Sequence, residues 1–305
     1  MADPHTTRAL LQGAFDTHIH SAPDVLPRKF DDLQLAARMR EVGMAGGVLK
    51  SHYTNTAERA SLVRQAYPDV QLFGMLVLNN SVGGLNPIAV DIAGRLGARV
   101  ISLPTVNAAN ELENISGQRD ESKLPYWMSI ARAMQARGIA GDWIRVVDEQ
   151  GRVSDAARQC FEVVASYDML LATGHIAPRE MLPAIVAAKE AGVQRLLITH
   201  PEFPTTRLDV EQQRELARLG VYFERCFTTP HTGKIPWEVV FDNIRQVGPE
   251  TTVLATDLGQ STAPWPDEGL EICIAKLLDV GFTEQQVQRM VRDHPAQLLG
   301  IEVPA

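Results

Sequence analysis

Short apolar runs alternate with amphipathic segments along most of this 305-residue chain, and this alternation constrains the fold more than any other feature. The runs have the length of strands, and their unbroken apolar character is typical of strands buried on both faces. Each run is followed by a loop and a segment of helical periodicity, such as Asp31 to Val42, which Gly43 ends. Repeats of this kind predict a parallel sheet with crossover helices.

Eight such strands are predicted. They end at His20, Lys50, Leu78, Leu103, His175, His200, Cys226 and Asp257. Eight strands that alternate with helices make a closed (β/α)8 TIM barrel the leading α/β fold. An open doubly wound sheet ranks second, because the sequence lacks its Gly-rich phosphate loop. We expect a single barrel domain over residues 1–305, with C-terminal helices over about residues 268–300.

The regular repeat is interrupted between about residues 104 and 154. There the sequence predicts a polar loop over Asn107–Lys123, a helix over Tyr126–Arg137 and a hairpin whose turn is Gln150–Gly151. Long connections of this kind often cover active sites. We therefore expect an insertion after the fourth strand that acts as a lid over one end of the sheet.

Composition excludes several classes of function. The formal net charge of −8 and the lack of a Lys/Arg cluster argue against a nucleic-acid partner. Three isolated cysteines, Cys160, Cys226 and Cys273, fit unpaired thiols in a reducing compartment. The first 13 residues do not resemble a signal peptide, and no apolar run approaches membrane-spanning length. We expect a cytoplasmic protein that acts on a small molecule and not on a membrane.

Two histidines close the first predicted strand, in the run Phe-Asp-Thr-His-Ile-His over residues 15–20. Side chains alternate along a strand, so His18 and His20 are expected to point the same way. Two imidazoles on one face can bind one divalent metal ion. This pattern is common by chance, but three later apolar runs end in the same manner, at His175, His200 and Asp257.

In a parallel barrel the C-terminal ends of all strands share one rim, where active sites lie. The five strand-end side chains would meet on that rim, and a buried cluster of imidazoles and a carboxylate without a metal would be costly. The alternative is that one or two of these histidines are ordinary buried residues with satisfied hydrogen bonds. We expect a metal site formed by His18, His20, His175, His200 and Asp257.

This order of motifs resembles the amidohydrolase superfamily. The resemblance rests on the His-x-His of the first strand, one histidine after each of the fifth and sixth strands, and an aspartate after the eighth. It extends over nearly the whole chain, and the stretches Leu171–His175 and Ile198–Glu202 are similar to a little-characterised amidohydrolase-like branch. The resemblance implies a metal-dependent enzyme with one or two divalent ions, zinc first and manganese or iron as alternatives.

The sequence departs from that superfamily at the fourth strand, where binuclear members place a carboxylated lysine or a glutamate that bridges two metals. Here the strand ends Ser-Leu-Pro-Thr over residues 102–105, and Lys50 ends the second strand instead. A lysine shielded from water loses its proton more easily and can take up carbon dioxide as a carbamate. Alternatively, Lys50 stays cationic and binds substrate oxyanions or forms a salt bridge. Glu111 is a weaker candidate for the bridge.

The implied function is hydrolysis of a C–N bond (amide, cyclic amide or amidine) or of an ester or lactone, with Asp257 as the proton-transferring catalytic residue. Alternatives are a phosphoesterase, a decarboxylase or other lyase on the same metal scaffold, and a barrel that only binds a ligand. A homo-oligomer is expected by analogy alone. Five further side chains are candidates for substrate binding, each equally compatible with an ordinary structural role: His52, Asn79, Asn107, Arg225 and His231.

Overall fold

The computed structural model describes residues 2–115, 127–139 and 141–302. Within them, eight strands form one parallel sheet in the order in which they occur along the chain. The strands are β1 (Phe15–Ile19), β2 (Gly46–Leu49), β3 (Gln71–Val77), β4 (Val100–Ser102), β5 (Leu170–Ala172), β6 (Arg195–Thr199), β7 (Tyr222–Cys226) and β8 (Thr252–Ala255).

The sheet closes on itself just beyond β8 and β1. The backbone N–H of Asp257 donates to the carbonyl of His18 at 2.9 Å, and the N–H of His20 donates to the carbonyl of Leu258 at 2.8 Å. These hydrogen bonds join the last strand to the first, so that the sheet has no free edge at this seam. The predicted (β/α)8 barrel is confirmed.

A buried aspartate reinforces the seam. Asp16 accepts hydrogen bonds from the backbone N–H of Thr256 at 3.0 Å and of His18 at 3.1 Å, and also from the Thr256 hydroxyl. Burial raises the pKa of Asp16 to about 7, although these donors act in the opposite direction. The carboxyl group therefore fixes the backbone of β1 against β8 directly below the strand ends.

Helices lie between successive strands and at both ends of the described chain. They are α1 (Pro4–Leu11), α2 (Asp32–Val42), α3 (Ala57–Ala66), α4 (Pro87–Arg95), α5 (Ala109–Ile115), α6 (Trp127–Ala136), α7 (Asp155–Ser166), α8 (Pro178–Glu190), α9 (Val210–Arg218), α10 (Thr228–His231), α11 (Trp237–Val247), α12 (Pro266–Asp279), α13 (Glu284–Gln288) and α14 (His294–Leu299). In α2, a capping box between Asp31 and Gln34 starts the helix, and Gly43 ends it at a φ of 79°. Among the helices that the structure describes, none combines the length and apolar character needed to cross a bilayer.

Apolar side chains fill the interior of the barrel at the end where the strands begin. Side chains from seven of the eight strands, among them Phe15, Phe73 and Val253, form one buried cluster with Leu298 and Leu299 of α14. Further apolar clusters fill the space between the strands and the surrounding helices. Because α14 contributes to the inner cluster at this end, the opposite rim, at the C-terminal strand ends, is the place for a polar site.

The long connection between β4 and β5 differs in part from its prediction. The predicted polar loop over Asn107–Lys123 contains the helix α5, and residues 116–126 lie outside the described part of the chain. The predicted helix is present as α6. The predicted hairpin is seen as an antiparallel bridge between Val147 and Val153. The helix α5 was missed because tertiary contacts, described below for Glu111, stabilise it. The role of this connection as a lid stays a prediction.

Candidate metal centre

Five histidines form a closed ring at the C-terminal ends of the strands. The distances between ring centroids are 5.4 Å for His18–His20, 5.0 Å for His20–His52, 6.2 Å for His52–His175, 5.7 Å for His175–His200 and 5.0 Å for His200–His18. Four of them are the histidines predicted as metal ligands, and the fifth, His52, is a predicted substrate contact. The structure therefore brings together strand ends that are distant in the sequence, since 182 positions separate His18 from His200.

Asp257 lies against three of these rings. Its Oδ1 is 3.2 Å from Nε2 of His18 and 3.2 Å from Nε2 of His20, and its Oδ2 is 4.0 Å from Nε2 of His200. Two ring nitrogens that converge on one oxygen confirm that His18 and His20 face the same way. Burial alone would raise the pKa of Asp257, but the charge of His18 and the close ring nitrogens of His18 and His20 hold it well below its usual value. The side chain is therefore a carboxylate.

Three buried ring nitrogens of the cluster lack a well-directed hydrogen bond within the described structure: Nε2 of His18, Nδ1 of His175 and Nδ1 of His200. The first lies 3.2 Å from Asp257 and the second 3.0 Å from Glu111. A buried polar atom without a hydrogen bond costs about 1–3 kcal/mol. The ligand atoms of His18, His20 and Asp257 all lie within 4.8 Å of one another, and so do those of His18, His200 and Cys226. Such spacings suit side chains that share one ion. The residues present therefore fit a divalent metal.

Carboxylates stand behind two of the histidines. Glu224 Oε2 lies 2.9 Å from Nδ1 of His18, and Glu111 Oε1 lies 3.0 Å from Nδ1 of His175. Burial and Lys50 act to lower the pKa of His18, but Glu224 and Asp257 outweigh them and raise it. A carboxylate at Nδ1 holds the ring in the orientation and tautomer that leave Nε2 free to bind a metal.

The roles of these two carboxylates differ from what the sequence suggested. Glu224 was missed, although a charged residue inside a buried strand is a signal of a polar site. Glu111 was considered as a bridge between metals, whereas here it contacts His175 and accepts a hydrogen bond from Thr205 at 3.1 Å. Glu111 therefore lies behind a candidate ligand, and this contact helps to stabilise α5.

Lys50 is buried at the end of β2, with only 2% of its surface exposed. Burial lowers the pKa of its amine, while the charges of Asp257 and Glu224 act in the opposite direction. The positive charge of Lys50 in turn acts to lower the pKa of His52 and His200. These mutual effects indicate that the amine lies near the cluster. Its role as a bridging ligand stays a prediction.

A guanidinium group stands behind His20. Arg28 Nη2 lies 3.3 Å from Nδ1 of His20, and Arg28 Nε donates to Asp24 at 2.7 Å. Burial, reinforced by the charge of Arg28, lowers the pKa of His20 to about 3, although Asp257 acts in the opposite direction. His20 is therefore neutral, which is the form that binds metals. Sequence reasoning missed both Arg28 and Asp24, which lie in the loop after β1.

Backbone strain is concentrated at the cluster. His200 and Asp257 adopt left-handed conformations, with φ of 51° and 56°. Residues other than glycine rarely occupy this region, and such strain is found preferentially at functional sites. The unusual turns at the ends of β6 and β8 direct both side chains to the cluster.

The structure places Asn79 against the backbone of His52 and next to Asn107, which is half-buried. Asn79 is fully buried and uses both ends of its amide inside the protein, on Thr105 and its neighbours. Asn107 accepts a hydrogen bond from the backbone N–H of Asn80 at 3.1 Å. In these contacts both side chains support residues next to the cluster, and the prediction that they bind substrate stays a prediction.

Arg225 does not face the cluster, and its prediction as a substrate contact is corrected. Its neighbour Glu224 reaches His18, and strand alternation therefore directs Arg225 outwards, between the barrel and the helices. There it is fully buried, forms an ion pair with Glu202 and donates to Gln213 at 3.1 Å. Burial lowers the pKa of its guanidinium to about 9.

We expect Glu202→Gln to lower the free energy of unfolding by about 3–5 kcal/mol, because it leaves the buried charge of Arg225 without its partner. Glu211→Gln is the matched control, since Glu211 pairs with Arg214 at the surface, and such pairs contribute about 0–1 kcal/mol. Urea unfolding followed by circular dichroism measures both. Equal losses in the two variants would contradict the account of Arg225.

His231 is also not brought to the cluster. It ends the short helix α10, is exposed, and stacks on Phe227 with 4.3 Å between ring centroids. The chain after β7 turns into α10 and carries His231 to the surface, and the prediction that it binds substrate stays a prediction.

A model of a family of unknown function (DUF6282) matches residues 13–224 of the chain. Among curated protein sequences, no relative matches it. Solved structures with a similar fold include an amidohydrolase from Pseudomonas aeruginosa, 11% identical over 98% of both chains with a TM-score of 0.60. A dipeptidase described as a metallopeptidase is 15% identical over 97% of this chain and 100% of its own, with a TM-score of 0.55.

An organophosphorus hydrolase from Deinococcus radiodurans is 16% identical over 95% of this chain and 94% of its own, with a TM-score of 0.53. At such low identity, these three similarities establish the barrel fold. The family match extends from before β1 into β7 and includes all five histidines of the ring together with Lys50, whereas Asp257 lies beyond it. The chain belongs to the family of unknown function DUF6282.

Proposed function

We propose that this protein is a metal-dependent hydrolase that cleaves a C–N bond (amide, cyclic amide or amidine) or an ester or lactone bond of a small molecule. The observation that carries the proposal is the ring of five imidazoles next to Asp257, in which three buried ring nitrogens lack well-directed hydrogen bonds. The amidohydrolase, dipeptidase and organophosphorus hydrolase that share the fold support hydrolysis as the general class of reaction.

Two sets of side chains would hold the metal. His18, His20 and Asp257 would bind one divalent ion, while His175 and His200 would bind a second. Imidazole and carboxylate ligands favour zinc, with manganese or iron as alternatives. When bound, such an ion lowers the pKa of a water molecule to near neutrality and polarises the bond that is cleaved.

Asp257 would move the proton. Its carboxylate is ionised, touches three of the imidazoles and accepts a hydrogen bond from the Thr228 hydroxyl at 2.8 Å, which fixes the orientation of Oδ2. A carboxylate in this position takes a proton from the attacking water and passes it to the leaving nitrogen or oxygen. Since 21% of the Asp257 side chain is exposed, a small molecule has access to it.

The proposal is tested by incubating the metal-loaded protein with panels of lactones, esters, cyclic amides and phosphate esters in water labelled with heavy oxygen. Hydrolysis of a carboxyl compound places one labelled oxygen in the product acid, and amide substrates also release an amine. Asp257→Asn serves as the control for contaminating enzymes. Release of carbon dioxide or phosphate, or binding without turnover throughout the panels, would contradict the proposed reaction.

Lys50 is proposed to bridge the two ions after its neutral amine has taken up carbon dioxide to form a carbamate and release a proton. We expect Lys50→Met to lower the metal content from about two ions per chain to about one, because a two-metal site needs the bridge. Elemental analysis of protein purified with bicarbonate measures this content. Lys234→Met is the control, since Lys234 is an exposed lysine on the loop after α10.

Unchanged metal content in Lys50→Met would contradict the bridge. Lys50 would then be a cation that binds the substrate, and decarboxylation or other lyase chemistry would gain support.

A further inference from the structure

His52 differs from the other histidines of the ring in what holds its Nδ1. Carboxylates stand at Nδ1 of His18 and His175, and a guanidinium stands at Nδ1 of His20. At His52 the partner is a hydroxyl group, Thr105 Oγ1, at 2.8 Å. A hydroxyl can donate or accept, so the proton position on His52 depends on what else Thr105 contacts.

The amide of Asn79 settles the direction of this hydrogen bond. Its Oδ1 accepts from the backbone N–H of Thr105 at 2.9 Å and from that of Asn107 at 3.3 Å. Because a backbone N–H only donates, the oxygen and nitrogen of the amide are assigned without ambiguity. The Asn79 Nδ2 group therefore donates, to Thr105 Oγ1 at 2.8 Å and to the carbonyl of His52 at 2.9 Å.

The hydrogen bond from Asn79 to Thr105 in turn determines the direction of the hydrogen bond between Thr105 and His52. Its hydroxyl oxygen accepts from Asn79, and its own proton needs an acceptor because the side chain is fully buried. Within the described residues, the acceptor in reach is Nδ1 of His52. A neutral imidazole that accepts at Nδ1 carries its proton on Nε2.

We infer that the hydrogen-bond chain Asn79–Thr105–His52 fixes His52 as the Nε2–H tautomer, and that His52 donates to an oxygen of the substrate and does not bind the metal. A nitrogen that carries a proton has no free electron pair for a metal, whereas an N–H inside the ring of ligands is suited to a carbonyl or carboxylate oxygen. The part of the inference that concerns substrate rests on the proposed function. The expected substrate has an oxygen that accepts this hydrogen bond, next to the bond that is cleaved.

The tautomer is read directly by nitrogen NMR of the zinc-loaded full chain with isotope-labelled histidine. His52 is assigned by the signals that disappear in His52→Gln. We expect the Nδ1 of His52 to show the shift of an unprotonated ring nitrogen and its Nε2 that of an N–H. Thr105→Val keeps the shape of the side chain but removes the hydroxyl, and should move the proton partly or wholly to Nδ1. Thr105→Ser, which keeps the hydroxyl, should restore the original tautomer.

Metal content provides the second readout. His52→Gln is expected to bind as much zinc as the unsubstituted chain, because His52 is not a ligand. A protonated Nδ1 in the unsubstituted chain, an unchanged tautomer in Thr105→Val, or a loss of zinc in His52→Gln would overturn the inference. Failure of the proposed function is distinguishable, since it appears as a lack of bound metal or of turnover in a chain whose His52 is still the Nε2–H tautomer.

Discussion

Replacing Asp257 with asparagine is expected to lower turnover by about 10²- to 10⁴-fold, the usual contribution of a general acid–base residue. Asparagine keeps the shape of the side chain and one ligand oxygen, so most of the metal should stay bound through His18 and His20, which both lie 3.2 Å from Oδ1. It cannot accept the proton of the attacking water. The rate is measured on whichever panel substrate shows hydrolysis, and metal is measured by elemental analysis of the same sample.

The control for this variant is Asp242→Asn, which removes a carboxylate that pairs with Arg245 at the surface. We expect it to retain full turnover and metal. Turnover that survives in Asp257→Asn, with its metal in place, would show that another group moves the proton. Loss of all metal in Asp257→Asn would show that its main role is that of a ligand.

Glu224→Gln is expected to weaken metal binding by about 10- to 100-fold without touching a ligand directly. The carboxylate lies 2.9 Å from Nδ1 of His18 and also accepts from the hydroxyl of Thr17 at 2.6 Å, so it fixes the ring from behind. Glutamine keeps the size of the side chain but lacks the negative charge. That charge favours a proton on Nδ1 of His18 and a free electron pair on its Nε2. Competition with a chelating dye measures the affinity.

The matched control is Glu215→Gln, at an exposed position on α9. It should leave the metal affinity unchanged. If Glu224→Gln binds metal as tightly as this control, the arrangement of carboxylate, histidine and metal proposed for His18 is wrong.

The strand-end residues could be predicted from the sequence because two rules act together. Buried parallel strands read as continuous apolar runs, and a parallel barrel brings their C-terminal ends to one rim. His175 and His200 could therefore be placed beside His18 and Asp257 without any knowledge of contacts. The cluster formed by these side chains is what the structure shows.

The residues behind the ring could not be predicted in this way. In β7, Glu224 and Arg225 are adjacent charged residues in a buried strand, and strand alternation allows only one of them to face the cluster. The sequence does not show which of the two faces the cluster. Arg225 was predicted to face it, whereas in the structure Glu224 does. Glu111 was likewise assigned to a loop, because its contact with His175 crosses 64 positions of the chain.

The central claim is that the ring of histidines holds a divalent metal, and the most direct test is the metal content of the purified chain. Protein prepared without chelator, in the presence of bicarbonate, should contain about one to two ions of zinc, manganese or iron per chain. The double variant His18→Asn/His20→Asn should contain far less, with its fold intact by circular dichroism. Equal, near-zero metal in both proteins after exposure to each ion would contradict the account.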